Sequence, residues 1–488
     1  MTRNSSEAER NVVDGALRLL AAQALFPVSA LIMAAFLSRR LGTDGYGLLG
    51  LATALVVWTE WTLIMLFSRA TVKFVREATD WNAVATSVIQ VQFCAGAALT
   101  ATFFLLADSF AAQLGQPELA AYLKLLALDI PIFAVVHAHE HVLVGRGNFR
   151  AQATIGVTRW CTRTVLVIGL TYLFSIYGAL AGMVLSSLVE LGVARLYIRP
   201  PLFARSSFRL RHMLGYVAPL FVFALSQRLL DRVEIIILKG LGGTVEDAGL
   251  YNAAQNLALL PGLFAFSLAP VLLSGLTGLI TEGDPAGARR MGRQGMRAVL
   301  LTLPLVTLVA AASPGIVQLV FGPEFTDAAP ILRILILAAA GKLLLTVTSV
   351  ILTSAGKPSW CAVLGLAMVA AAVTLHLLLI PRFGKMGAAT ATALASGLGA
   401  ALSIIAVQRI WGLVPPVGTL MRSALASIVI AALALQWPVT GFWVVLQALG
   451  LILLAAVVLC VTREFSSTDV ALLRSLLPSK KPAEKSSC

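Results

Sequence analysis

Runs of about twenty apolar residues recur from one end of this chain to the other, and that pattern leaves few ways to fold. An apolar helix needs roughly 20 residues to cross about 30 Å of hydrocarbon. Read with a window of that size, the 488 residues hold about fourteen candidate spans. They lie near 17–37, 47–67, 83–107, 120–144, 152–175, 178–198, 213–238, 249–280, 298–320, 328–353, 359–381, 387–408, 421–437 and 442–462. Backbone in lipid must satisfy its own hydrogen bonds, so continuous runs of this length predict helices rather than a barrel. The 249–280 run is overlong, and Pro261 and Pro270 predict a bend or a shorter true span. Loops and tails are then short, with no room for a separate soluble domain. The expected fold is all-α and polytopic, in keeping with a composition 58% hydrophobic and only 12% charged. The first apolar segment is long for a signal-peptide core and many more follow it, so it reads as a retained span.

The net charge of +14 invites a nucleic-acid reading, which the placement of the charges opposes. With the N-terminus inside, about 23 of the 37 Lys and Arg fall in cytoplasmic loops and tails, about 6 outside and about 8 within spans. The inner sets include Arg69, Lys73 and Arg76; Arg199, Arg205, Arg209 and Arg211; and Arg289, Arg290, Arg293 and Arg297. The basic balance is therefore a topology signal, aided by anionic lipid, and no nucleic-acid partner is expected. Both termini are expected in the cytoplasm. The five cysteines form no C-x-x-C and mostly sit inside spans, as small buried hydrophobes do. The tail PSKKPAEKSSC is short and basic.

Two stretches share a ruler. GRGNFRAQATIGVTRW (145–160) opens a span after a glycine and basic turn, and YGALAGMVLSSL (177–188) follows. SAGKPSWCAVLGLAMV (354–369) does the same before MGAATATALASGL (386–398). Gly147 to Gly178 and Gly356 to Gly387 are the same distance in sequence. A weaker echo links LGTDGYGLLGLA (41–52) with LGGTVEDAGLYNAA (241–254). An even number of spans per unit makes these parallel repeats about an axis along the membrane normal, with a cavity between them. The domain boundaries expected are 1–205 for a first six-helix lobe, 206–412 for a second, 413–462 for two added spans and 463–488 for a basic tail.

On these residues the chain resembles a family. LSRRLGTDGYG, DRVEIIILKGLGG…GLYNAAQNL…LPGLFAFSLAP and TSAGKPSW…PRFGKMGAATATALASG are similar to the polysaccharide flippases, Wzx-type or O-antigen translocase-like, of the multidrug/oligosaccharidyl-lipid/polysaccharide exporter superfamily. The resemblance covers roughly 15–462. It implies fourteen helices in two lobes and a bacterial cytoplasmic (inner) membrane location. It also implies alternating access, moving an undecaprenyl-pyrophosphate-linked oligosaccharide to the outer leaflet, without enzymatic chemistry. Partners so implied are the lipid-linked oligosaccharide and membrane lipids, with polysaccharide polymerase or ligase as candidate protein partners.

Charges lie where hydrocarbon should be. In SQRLLDRVEIIILK (226–239), at about 100° per residue with Arg228 at zero, Asp231 falls near 300°, Arg232 near 40°, Glu234 near 240° and Gln227 near 260°. The apolar residues take the other arc. In span five, Gln152, Gly156, Arg159 and Arg163 share a face. Glu60, Asp129 and Glu190 are further acids at depth. Nine such ionised groups facing lipid would cost roughly 20–30 kcal/mol even on the lenient insertion scale, so they must face protein or water. In one reading the charges pair and lock helices. In the other, Arg159, Arg163, Arg228 and Arg232, with Gln227, line an aqueous cavity and grip an anionic headgroup, since guanidinium offers phosphate a fixed fork of donors. Asp231, Glu234 and Glu60 are then candidates for taking a proton or Na⁺ in turn with cargo, against the alternative that they are plain counter-ions. No other cofactor is expected.

HAHEH (137–141) contains the H-x-x-E-H spacing of some zinc proteases, but a catalytic zinc needs a third ligand and an open position. Histidines at the inner end of span four fit ordinary polar contacts, as does His376 in span eleven. The glycine turns GRGNFR and GLGG follow no strand and read as interhelical turns. The alternatives to the flippase reading are a lipid II flippase or a cation-coupled drug exporter of the same superfamily, and, less favoured, a membrane glycan polymerase or ligase. Against the drug exporter stands the arginine-rich interior; against the enzyme, the short outer loops.

Overall fold

The computed structural model of the chain describes residues 2–201 and 234–464. Every described element is helical. The order is α1 (Thr2–Glu77), α2 (Trp81–Gln113), α3 (Glu118–Ala127), α4 (Asp129–Gly145) and α5 (Phe149–Tyr197), then α6 (Val245–Ala258) and α7 (Gly262–Thr281). There follow α8 (Pro285–Leu300), α9 (Leu303–Ala311), α10 (Ser313–Phe321), a 3₁₀ turn (Pro323–Ala328), α11 (Ala329–Ser354), α12 (Pro358–Trp411), α13 (Val417–Gln436) and α14 (Trp443–Val461). Among the described residues nine helical stretches are long and apolar enough to cross a membrane. Span seven of the sequence reading falls largely outside the described residues; residues 234–240 are helical.

Three of the long helices are pairs of arms around a reversal. In α5 the break is at Phe174 and Ser175, and in α12 at Gly384. Gly178 packs on the carbonyl of Leu170 and Gly182 on the backbone of Val167, so the arms of α5 run antiparallel. Gly387 packs on Leu379, and Gly399 on Met368, in the same way. In α1 the break is at Gly42. Its first arm runs beside the first arm of α5, Ser29 meeting Thr164 and Arg40 meeting Tyr172. Its second runs beside α4, with Trp61 against Phe133 and Val75 against Gly145.

The duplication predicted from the glycine ruler is visible in the backbone. Gly147 and Gly356 turn with φ of 75° and 71°. Ser175 has φ 52° and ψ −133°, and Gly384 has φ 54° and ψ −133°. That region is open to glycine and costs other residues about 1–3 kcal/mol. The first copy thus carries a serine where the second has the residue the turn favours. We expect Ser175→Gly to raise stability by about 1 kcal/mol, read as a higher unfolding temperature of the purified protein; an unchanged or lower value would show that the serine side chain compensates.

Prolines explain two departures from the simple span reading. The overlong 249–280 run divides at Pro261, with α6 ending at Ala258 and α7 starting at Gly262. The 120–144 run is bent between α3 and α4. Pro131 cannot donate to the carbonyl of Ala127, four residues back, and its ring crowds that carbonyl. The hydroxyl of Thr100 supplies the missing donor at 2.8 Å, and Gly96 lets α2 come close, since a Cβ there would sit 2.7 Å from the Cα of Pro131.

Helices α1 to α5 pack on one another, and α6 to α12 do likewise. Helices α13 and α14 pack on α8, α9 and α10. One buried carboxylate holds that addition in place. Glu464 accepts from Arg297 of α8 at 2.7 Å, from Thr419 of α13 at 2.6 Å and from Arg422 at 2.8 Å. Burial alone would raise its pKa, but these donors hold it below the usual carboxylate range.

Candidate functional site

The first helical group carries a layer of charge inside it. Glu60 comes from α1, Asp129, His137 and Glu140 from α4, Arg159 and Arg163 from the first arm of α5, and Glu190 from the second. All but the half-buried Arg163 are buried. The layer forms because α4 and α5 cross antiparallel about the Gly147 turn, which places residue 137 opposite residue 159.

Arg159 is held from several sides. Its Nη1 donates to Nε2 of His137 at 2.8 Å and lies 3.6 Å from Oε1 of Glu190. Its guanidinium carbon is 4.4 Å from the centre of the Phe133 ring. Arginine has no acceptor, so Nε2 of His137 must be the unprotonated nitrogen. Nδ1 then carries the proton and lies 2.6 Å from a carboxylate oxygen of Glu140. Both ring nitrogens of His137 are spoken for, which accounts for this part of the HAHEH motif without a metal. The polar run thus extends from Glu190 through Arg159 and His137 to Glu140.

Acids outnumber guanidinium groups in the layer, four against two. Oε1 of Glu60 and both oxygens of Glu190 make no hydrogen bond among the described residues, and neither do the oxygens of Asp129. Ser187 lies near enough to Asp129 to influence it electrostatically, but outside ordinary hydrogen-bond geometry.

The second group holds a narrower chain. Oε2 of Glu234 accepts from the Tyr251 hydroxyl at 2.6 Å and from Nε2 of Gln255 at 3.2 Å. The Tyr251 hydroxyl lies 3.3 Å from Oγ1 of Thr392, itself 3.3 Å from Nε2 of His376. His376 is anchored by the Ala372 carbonyl at 2.6 Å, which is the polar contact expected for it. Nζ of Lys342, near the middle of α11, is 4.0 Å from Oε1 of Glu234.

Among the described residues, contacts of any extent between the two groups run from α1 to α6, α10 and the 3₁₀ turn. They gather at the end of the bundle that carries the Gly42 turn. Gly47 and Gly249 meet backbone to backbone: a Cβ on Gly47 would lie 2.2 Å from the carbonyl oxygen of Val245, and one on Gly249 would lie 2.1 Å from that of Thr43. Gly50 abuts Asn252. Tyr46 accepts from Asn256 at 2.9 Å and packs on Phe321 and Phe325, while the Ser38 hydroxyl donates to the Phe321 carbonyl. The echo between 41–52 and 241–254 is therefore a contact as well as a repeat.

Of the residues singled out from sequence, Glu60, Arg159 and Arg163 come together in one layer, and Glu234 lies in the other chain. Gln227, Arg228, Asp231 and Arg232 fall outside the described residues. Arg159 is engaged within its own group through His137, and its Nε makes no hydrogen bond among the described residues. Lys342, Tyr251, His137 and Glu140 were missed as partners. Lys342 had a signal, a lysine within an apolar span; Tyr251 had none, because its role depends on which helix it faces.

Residues 36–330 match the family described as "Polysaccharide biosynthesis protein". A succinoglycan biosynthesis transport protein, ExoT, from Rhizobium meliloti (strain 1021), is 29% identical over 263 residues, 48% of each chain. An uncharacterized membrane protein, MJ1068, from Methanocaldococcus jannaschii is 27% identical over 190 residues, 38% of this chain and 35% of that one. The chain thus spans about half the length, or less, of these relatives. The lipid II flippase MurJ in an inward closed conformation superposes with a TM-score of 0.75 at 16% identity, over 90% of this chain and 97% of that one. A MOP superfamily transporter from Pyrococcus furiosus gives 0.60 at 14% identity, over 82% and 96%. At such identities these two speak to the fold alone.

Proposed function

Because the chain belongs to the family of polysaccharide biosynthesis proteins, we propose that it is a flippase carrying a lipid-linked oligosaccharide across the bacterial cytoplasmic membrane by alternating access. The observation that carries the reading is the seam. Among the described residues, two helical groups, each with buried charge, are joined firmly at one end, through α1. The turns at the seam end carry Arg39, Arg40, Lys239, Arg382 and Lys385, while those at the other end carry about twice as many, Arg69, Lys73, Arg76, Arg146, Arg150, Arg289, Arg290, Arg293, Arg297 and Lys357. By the positive-inside rule the seam faces outward, both termini face the cytoplasm, and this state receives cargo from inside. The cargo headgroup occupies the space between the groups while its lipid tail stays in the bilayer. Rocking about the seam releases it outside.

The name of the Rhizobium relative favours an exopolysaccharide repeat unit over an O-antigen one as cargo. A pyrophosphate on that cargo calls for cations. Arg159 already bonds His137, so in this reading the grip called for at Arg159, Arg163, Arg228 and Arg232 with Gln227 falls chiefly to the last four. Glu60 and Glu234 are the coupling residues, with Asp231: in the first layer the excess of carboxylates over guanidinium groups gives a proton or Na⁺ a place to enter as exposure changes. Lipid II transport and drug export are the competing activities on this fold; polymerase or ligase partners remain within the same proposal.

The test is glycan export in cells whose own flippase is deleted. Replacing Arg228 and Arg232 together by Ala should abolish export while leaving the protein inserted at normal level. Wild-type export from a well-expressed double variant would remove these arginines from the mechanism.

A further inference from the structure

The chain Lys342–Glu234–Tyr251–Thr392–His376 contains one member that the pairing of charges does not use up. Oε2 of Glu234 is satisfied by two neutral donors, Tyr251 and Gln255, whatever Lys342 does. Oε1 faces the Lys342 ammonium at 4.0 Å, close enough for attraction and too far for a hydrogen bond. The ammonium has three protons to donate, and among the described residues it makes no hydrogen bond. The Lys342 side chain is 33% exposed, whereas that of Glu234 is 6% exposed.

A partly exposed lysine near the middle of an apolar helix cannot rest its charge against acyl chains without a large cost, so its open part must face water. Its position fits. Tyr251 and Gln255 lie on α6, whose Gly249, Asn252 and Asn256 meet α1 at the seam. Lys342 therefore stands one helix behind the line along which the two groups part.

We propose that Lys342 is a phosphate contact for the cargo in the second helical group, held in place by Glu234 until the cargo arrives. This rests on the reading above that the cargo carries a pyrophosphate. The ammonium makes no hydrogen bond to the carboxylate that attracts it, so it can turn to a phosphate oxygen while Oε2 of Glu234 keeps both of its donors. A lysine suits this task better than an arginine, because a compact charge on a flexible stem can move between partners.

The full-length purified protein would be titrated with undecaprenyl pyrophosphate, the lipid without sugar. Lys342→Met should weaken binding about ten-fold or more, with the unfolding temperature retained, and Lys342→Arg should keep most of the affinity. In a chain stripped of its five native cysteines, Lys342→Cys should react with a charged, water-soluble thiol reagent, and the same lipid should slow that reaction. Equal binding by wild type and Lys342→Met would overturn the assignment and leave the flippase reading standing. So would a cysteine at 342 that the reagent never reaches, a result that serves even if the methionine variant fails to fold. Absence of binding by the wild type would instead sink the pyrophosphate reading, and the role of Lys342 with it.

Discussion

Gly249→Val is expected to keep the outer seam from closing and to stop export. The nearest obstacle to a Cβ at this position is the Thr43 carbonyl oxygen, 2.1 Å away, and Gly47 stands in the same relation to Val245 at 2.2 Å. Both obstacles are main chain, which cannot rotate aside as a side chain would. The helices must separate. Overpacking of this kind costs about 1–3 kcal/mol per site, and against two states of similar energy that is roughly a five- to 150-fold shift of the equilibrium away from the closed state. The stability of the separate groups should change little, because the strain is relieved by parting them. Cysteines introduced at 46 and 256, whose native side chains touch at 2.9 Å, would report closure by the rate at which a bifunctional thiol reagent about the length of the lost tyrosine bridges them. That rate should fall sharply in the Gly249→Val background, and surface glycan should fall with it. Cross-linking at the wild-type rate would mean that α1 and α6 can pass the extra methyl groups, and the seam would then not be the gate.

The second large effect is expected at Arg159. Replacing it with Met removes a charge held by His137, Glu190 and the face of Phe133, and leaves Glu190 buried without its cation. Breaking a buried pair from one side costs about 3–5 kcal/mol, a loss that thermal unfolding of the purified protein should register plainly. Adding Glu190→Gln should recover part of it, since the stranded charge is then gone. The comparison separates the two readings of this residue. A cargo-gripping arginine would lose export at unchanged stability, and an Arg159→Met variant as stable as wild type would return Arg159 to the cargo site.

Much of the architecture is legible in the sequence. Span length follows from bilayer thickness, so α2, α13 and α14 could be placed from hydropathy alone. The repeat could be read from Gly147, Gly178, Gly356 and Gly387, because positive φ and close backbone approach admit little besides glycine. That charges at depth must turn inward follows from the cost of lipid exposure, and Glu60, Asp129, Arg159, Glu190 and Glu234 are indeed buried.

Partner choice was not legible. A helical wheel gives the face of Arg159 but not the helix it meets, and His137 lies opposite only because α4 and α5 cross antiparallel about one turn. Lys342 and Glu234 are distant in sequence, as are Tyr46 and Asn256, and no local pattern encodes such meetings. The chain alone therefore determined that this is a duplicated bundle in a membrane with charge sealed inside, because hydrophobic period, glycine geometry and the cost of a bare ion act residue by residue. Only the tertiary arrangement decided which arginine is tied to its neighbours, which lysine is left with protons to offer, and where the two halves touch, because those outcomes depend on distances between helices that sequence spacing does not contain.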